Sequence, residues 1–181
     1  MKVVLLAAGR SSRTTALKQL YRVQGEYLVN IQIKKLLDHG FDVLLVLGYM
    51  RREIEAVLKY RTTIIYNEAY EEGMFSSVQK AFSAIEEEDL ILCHIDRPIA
   101  DKAVFEALLE SKSEIAVASY AHHKAPPILI RVSMRQALLT TPHKRLDHWI
   151  ASTEKASYIE VYDKKILYNA NTDAQLRRYF D

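Results

Sequence analysis

Short apolar runs alternate with helical periodicity along this chain. The first run spans 3–8 (Val3-Val4-Leu5-Leu6-Ala7-Ala8) and stops at Gly9. Similar runs lie at 43–47, 62–66 and 90–95, and later ones at 114–120, 128–131, 158–161 and 166–168. Between them, 28–38 places Ile31, Leu36 and Leu37 toward one side and ends at Gly40, and 51–60 carries Ile54, Val57 and Leu58 at helical spacing. Ser76-Ser77-Val78-Gln79, Ser133-Met134-Arg135-Gln136 and Thr172-Asp173-Ala174-Gln175 each read as a capping box that opens a helix. Asp101 reads as the N-cap of another. Segment 120–127 has two histidines followed by two prolines, which excludes helix interior and predicts a solvated loop over the sheet edge. Strands alternating with helices predict an α/β fold: a three-layer α/β/α sandwich around a mainly parallel, twisted sheet, with one antiparallel strand in the C-terminal half.

Composition narrows this only slightly. The 181 residues, 49% hydrophobic and 27% charged, suit one domain over 1–181 with a sizeable core. A net charge of +2 gives no bulk attraction to nucleic acid, so basic groups must be judged locally. The lone Cys93 sits in an apolar run and reads as a small core residue. No run approaches the ~20 apolar residues of a membrane span, and the N-terminal run is too short for a signal peptide. A cytoplasmic protein without membrane or nucleic-acid partners is the expectation.

The candidate chemistry lies where the first run ends. A buried strand that delivers Gly9 and a loop with Arg10, Arg13 and Lys18 to the carboxyl edge of a sheet suits a polyphosphate. Glycine lets the backbone approach a ligand and turn N–H groups toward it. The loop is neither a Walker loop nor a dinucleotide fingerprint, because both glycine patterns are absent. Asp96 follows the run at 90–95, so it belongs at the same edge, where a carboxylate can hold Mg²⁺ beside phosphates.

Leu6-Ala7-Ala8-Gly9-Arg10-Ser11-Ser12-Arg13, followed by Lys18-Gln19-Leu20, resembles the signature loop of the MobA-like nucleotidyltransferases, which attach CMP or GMP to the molybdenum cofactor. Gly25-Glu26-Tyr27-Leu28, Leu47-Gly48-Tyr49, the stretch from Tyr66-Asn67 to Gly73-Met74-Phe75-Ser76-Ser77, Ile95-Asp96-Arg97-Pro98 and Asn169-Ala170-Asn171-Thr172 follow in family order. The resemblance implies a nucleotide-diphospho-sugar transferase-like, Rossmann-like fold and a Mg²⁺-dependent transfer of CMP, less readily GMP, from an NTP to a phosphorylated small molecule such as molybdopterin. It implies Arg13, Lys18 and Asp96 as catalytic groups, with Asp96 and Asn171 on the metal. It also implies that the loop from Leu6, Ala7, Ala8 and Gly9 through Arg10, Ser11 and Ser12, with Gly73, Ser76 and Ser77, holds the nucleotide.

The chain departs from the family at several positions. Thr14-Thr15 replaces Met-Gly after the arginine, Arg97 replaces glutamine, and Ala125-Pro126-Pro127 replaces Gly-His-Pro or Gly-Asn-Pro. Asn169 and Asn171 stand where the cytidylyl branch has aspartates, and Pro142-His143-Lys144-Arg145 lacks the family's glycine turn. These changes cluster in the catalytic loops. They leave open a second expectation: a non-catalytic nucleotide-binding or accessory protein that works with a partner such as a molybdoenzyme.

Overall fold

The computed structural model describes residues 1–180. Among the described residues, nine strands and seven α-helices follow one another. The strands are β1 (Lys2–Leu6), β2 (Arg22–Val23), β3 (Glu26–Tyr27), β4 (Asp42–Leu47), β5 (Thr63–Tyr66), β6 (Leu90–His94), β7 (Ile115–Tyr120), β8 (His123–Ile130) and β9 (Ala156–Glu160). The helices are α1 (Leu28–Asp38), α2 (Arg51–Glu55), α3 (Met74–Ala84), α4 (Lys102–Glu110), α5 (Arg135–Thr140), α6 (Leu146–Ser152) and α7 (Asp173–Phe180). Seven strands form one sheet in the order β5-β4-β1-β6-β8-β7-β9, and β2 pairs with β3 apart from it. Only β8 runs antiparallel to its sheet neighbours, β6 and β7. Past one polar end residue each, the central strands β1, β4 and β6 are apolar because helices cover both faces.

Side chains of β1 alternate between two cores. Val3 and Leu5 join Ile33, Leu36, Phe105, Leu108 and Leu176 from α1, α4 and α7. Val4 and Leu6 join Phe75, Val78, Phe82, Leu138, Trp149 and Ile150 from α3, α5 and α6. This is the expected three-layer sandwich. Leu6 is in register with Val46 on one side and His94 on the other, so the segments beginning at Ala7 and Ile95 leave the sheet side by side.

Several local expectations are corrected. The segment at 120–127 is a hairpin rather than a loop: β8 starts at His123, pairs with Tyr120, and absorbs the prolines beyond a register shift at Val117/Ala118. Residues 166–168 form no strand. Lys164–Leu167 is a 3₁₀ turn capped by Asp163, whose carboxylate accepts from the Lys165 N–H at 2.9 Å. The helix at 51–60 stops after Glu55. In α1 the inward face is Leu28, Val29, Ile33 and Leu36; of the expected Ile31, Leu36 and Leu37, only Leu36 is fully buried. Of the three capping boxes, only Thr172 caps, accepting from the Gln175 N–H at 3.3 Å. Helix α3 begins two residues before Ser76, at a Gly73 whose φ of 104° requires glycine. Ser133 lies inside a 3₁₀ turn that precedes α5, and its hydroxyl turns to Glu114. Asp101 occupies its N-cap position but caps nothing with its carboxylate, which pairs with Lys165 at 2.6 Å.

Candidate active site

The loop after β1 is shaped by one buried amide. Gln19 is 1% exposed, and its Nε2 donates to the Ala7 carbonyl at 2.6 Å and the Gly9 carbonyl at 3.2 Å. Ser11 Oγ accepts from the Lys18 N–H at 3.1 Å, tying the two ends of the loop together. Ser11, at φ 54°, carries the left-handed turn of this loop; Gly9 does not adopt a positive φ. A side chain at Gly9 would nonetheless meet no atom within 4 Å, because its Cα faces open cavity. The glycine therefore keeps that space open and is not needed to bend the chain there. Thr15, which replaces the family's glycine, also avoids positive φ, and its N–H donates to the Asp173 carboxylate at 3.2 Å.

Beneath the loop, Gly48 passes so close that a Cβ would lie 2.7 Å from the Tyr70 Cβ and 2.9 Å from the Ala8 carbonyl oxygen. That approach lets the Tyr49 N–H donate to Ala8 at 3.1 Å. Gly48 and Gln19 together hold the loop backbone on both sides. Neither was singled out as a site residue from the sequence, although both lie inside motifs quoted there. The signal the sequence carries is the adjacency of Gln19 to Lys18 at the end of the cationic loop.

A cavity of about 290 Å³ opens over this loop. Leu6, Ala8, Gly9, Ser11 and Ser12 line one side, with Arg13 and Lys18 at its edge and Gly73, Ser77 and Asp96 opposite. Ten of the expected site residues thus share one space. Four others, Ala7, Arg10, Ser76 and Asn171, do not line it. Ala7 is buried beneath it, 1% exposed. Arg10 turns outward to pair with Glu71, its guanidinium lying over the neighbouring rings of Tyr49 and Tyr70, 5.4 and 5.7 Å from their centroids. Ser76 donates to the Ala69 and Gly73 carbonyls at 2.9 and 2.8 Å, so its hydroxyl shapes the turn before α3. Ser77 is buried and accepts from Asn67 Nδ2 at 2.9 Å.

The charges at the edge of the cavity are paired. Lys18, only 6% exposed, places Nζ 2.8 Å from Asp96 Oδ2 and 3.4 Å from Asn171 Oδ1. Arg13 Nη2 donates to the same Asn171 oxygen at 2.8 Å. Asn171 reaches them because Arg97 draws the C-terminal segment in. Its Nη1 donates to the Ile166 carbonyl at 2.9 Å, and the Ala170 N–H donates to the Asp96 carbonyl at 2.8 Å. Burial pulls the Arg97 pKa down while Asp96 opposes it. The arginine that departs from the family pattern is therefore the strut that carries Asn171.

A second cavity, about 710 Å³, adjoins the first and shares Gly73, Met74 and His94 with it. Its floor is apolar, with Phe75, Val117, Ile128 and Ile150, and Lys124, Lys144 and Arg145 stand at its walls. Lys124 Nζ lies 3.7 Å from the Tyr158 ring centroid. His94 stands where the two cavities meet. Burial pushes its pKa down to about 4, against the opposing pull of Asp96.

A parallel sheet with a cationic, glycine-bearing loop and an aspartate on its carboxyl edge defines a nucleotidyltransferase of the nucleotide-diphospho-sugar transferase fold. The chain belongs to the MobA-like NTP transferase domain family, whose pattern matches residues 3–156. It is 28% identical over 173 residues to the molybdenum cofactor cytidylyltransferase of Escherichia coli (strain K12), covering 86% of this chain and 87% of that protein. Among solved structures, a nucleotidyl transferase from Methanothermobacter thermautotroptrophicus superposes with a TM-score of 0.85 at 17% identity, covering 99% of this chain and 95% of that one. Rv0371c from Mycobacterium tuberculosis H37Rv gives a TM-score of 0.83 at 21% identity, covering 99% and 96%.

Proposed function

We propose that the protein transfers CMP, in preference to GMP, from an NTP to a phosphorylated small molecule such as molybdopterin, with Mg²⁺ as cofactor. A phosphate oxygen of the acceptor attacks the α-phosphorus, the bond from the α-phosphorus to the bridging oxygen breaks, and pyrophosphate leaves. The attacking phosphate is already ionised, so the protein's work is alignment and charge neutralisation. One observation carries the reading: the cavity bounded by the loop, Lys18 and Asp96 shares Gly73, Met74 and His94 with a larger one that carries Lys124, Lys144 and Arg145 beside Glu72 and Asp147, room for the two substrates of a transfer.

Arg13 and Lys18 would hold the β- and γ-phosphates and stabilise the departing pyrophosphate, with loop N–H groups beside them. The residues fit a divalent cation that arrives with the nucleotide. Asp96 Oδ2 and Asn171 Oδ1 converge on the Lys18 ammonium, so both oxygens already face one positive charge. One carboxylate and one amide oxygen, completed by phosphate oxygens and water, is a donor set Mg²⁺ accepts. Among the described residues no cluster of three His, Cys, Asp or Glu could hold a metal without the nucleotide. Asp96 and Asn171 would hold the ion, which when bound would supply charge neutralisation for the reacting phosphates.

The preference for CTP rests on Ala8, whose methyl narrows the cavity floor where the guanylyl branch has glycine, and on similarity to a cytidylyltransferase. A cytoplasmic location suits this role. No helix among the described residues is long and apolar enough to cross a membrane. Pyrophosphate release, followed with each NTP in turn, Mg²⁺ and molybdopterin, tests the proposal. Release with CTP above all others supports it, and silence with every NTP rejects it.

The second reading, a nucleotide-binding accessory protein for a partner such as a molybdoenzyme, is favoured by one feature. Asn171 offers an amide where the cytidylyl branch has a carboxylate, which weakens a metal site. CTP would then raise the melting temperature without turnover.

A further inference from the structure

The cavity over the β1 loop has two unlike ends, and the strand order separates them. Asp96 follows β6 on one side of β1, whereas Gly48 follows β4 on the other side and Tyr70 follows β5. Lys18 is bonded to Asp96 and Asn171, and Arg13 to the same Asn171 oxygen, so the cations gather at the β6 end. Tyr70 lines the same cavity and stands against Gly48, at the β4 end.

Tyr70 is held in place from several directions. A Cβ added at Gly48 would lie 2.7 Å from Tyr70 Cβ and 2.8 Å from its Cγ, so only a glycine lets the side chain root there. The Tyr49 ring lies 6.2 Å away, tilted by 54°, and the Arg10 guanidinium is 5.7 Å from the Tyr70 centroid. Tyr49, Arg10 and Glu71, the partner of Arg10, line no part of the cavity, so they back Tyr70 from outside it. Tyr70 also packs against the core that holds Phe75 and Val78.

An aromatic ring fixed in this way suits a flat ring far better than a phosphate. A nucleotide whose triphosphate lies by Arg13 and Lys18 places its base away from them, because the ribose separates the two. We propose that Tyr70 is the base-contacting residue of the nucleotide site, an aromatic wall against which the base of the NTP packs. The proposal deepens the transfer reading and rests on it. Every base has a π-face, so this wall supplies affinity and leaves the choice between CTP and GTP to Ala8.

Isothermal titration with two probes tests it: CTP–Mg²⁺ and pyrophosphate–Mg²⁺ share the phosphate end and differ in the nucleoside. Tyr70→Leu should weaken CTP–Mg²⁺ about tenfold, the scale of one base–aromatic contact, and leave pyrophosphate–Mg²⁺ within about twofold of wild type. Tyr70→Phe keeps the ring and should bind both probes within about threefold of wild type. If Tyr70→Leu loses both probes alike, the ring only props the phosphate loop; if it loses neither, the base lies elsewhere. If Tyr70→Phe loses CTP–Mg²⁺ as Tyr70→Leu does, the hydroxyl and not the ring makes the contact. Each of these three results overturns the assignment and leaves the nucleotide site standing. Failure of CTP–Mg²⁺ to bind wild type at all would instead sink the site, and the assignment with it. Should Tyr70→Leu fail to fold, NMR of the wild-type protein decides. CTP–Mg²⁺ should shift the Tyr70 ring protons and pyrophosphate–Mg²⁺ should leave them in place; equal shifts, or none with CTP–Mg²⁺ bound, overturn the assignment.

Discussion

Lys18 is a buried cation held by two oxygens, and nucleotide binding would change its partners. Lys18→Ala should weaken CTP–Mg²⁺ binding by roughly 1.5–3 kcal/mol, the worth of a hydrogen bond to a charged group, or about ten- to hundredfold in Kd. Arg13→Ala should act in the same direction, and Arg22→Ala near zero, since Arg22 is exposed and stacks on Tyr27. Isothermal titration of the three variants checks the ranking. From the sequence alone, Lys18→Ala removes a surface lysine and leaves folding intact. With Lys18 buried against Asp96, the substitution strands a partly buried carboxylate, so a lowered melting temperature is expected as well. Asp96→Asn probes the same pair from the other side. It releases Lys18 toward phosphate and removes the carboxylate, so CTP affinity should lose most of its dependence on Mg²⁺. Titrations with Mg²⁺ and with EDTA measure it; a Mg²⁺ dependence equal to wild type would contradict the assignment of Asp96.

At the scale of elements, the site depends on struts that the apolar pattern does not report. Arg97 joins the end of β6 to the segment before α7. Arg97→Met keeps much of its bulk but leaves the Ile166 carbonyl unpaired, which should cost about 1–3 kcal/mol in urea unfolding and loosen Asn171. Gly48→Ala should be worse tolerated than any other glycine substitution, because its Cβ would meet Tyr70 and the Ala8 carbonyl and force the loop backbone aside. A fall in both stability and CTP affinity is expected; unchanged affinity would mean the loop does not need this contact. Strands β1, β4 and β6 were legible because a run buried on both faces is apolar at every position. The hairpin at β7–β8 was not, since Pro126 and Pro127 look like breakers and are accommodated only at a shift in register. The 3₁₀ turn at Lys164–Leu167 was misread for a related reason: Ile166 is buried, 1% exposed, so a single anchoring side chain looked like a strand. Among site residues, those on the loop were legible from charge and glycine. Gln19, Gly48 and Arg97 act on backbone carbonyls brought together by tertiary packing, which spacing does not reveal.

For the whole molecule, two cores on either side of one sheet set the stability, and two histidines with lowered pKa values contribute to its response to mild acid. His39 lies edge-on to Phe105 at 5.7 Å, and burial holds its pKa below the usual value near 6.5. Above that value His39 is neutral in both the folded and the unfolded chain and contributes no pH dependence. Below it the unfolded chain takes up a proton that the folded chain resists, so stability falls until the depressed folded pKa is passed. His94 adds to the same fall. Urea unfolding at pH 8 and pH 5 should show the loss, and His39→Leu should reduce it; a variant with the wild-type pH slope would remove His39 from this role. The most direct measurement of the central claim is nucleotidyl transfer itself. The protein is incubated with CTP labelled at the α-phosphate, Mg²⁺ and molybdopterin, and the acceptor is examined by mass spectrometry. The expected result is label on the acceptor as a CMP adduct, with one pyrophosphate released per adduct and far less product from GTP. A folded protein that binds CTP–Mg²⁺ yet forms no adduct from any NTP would contradict it.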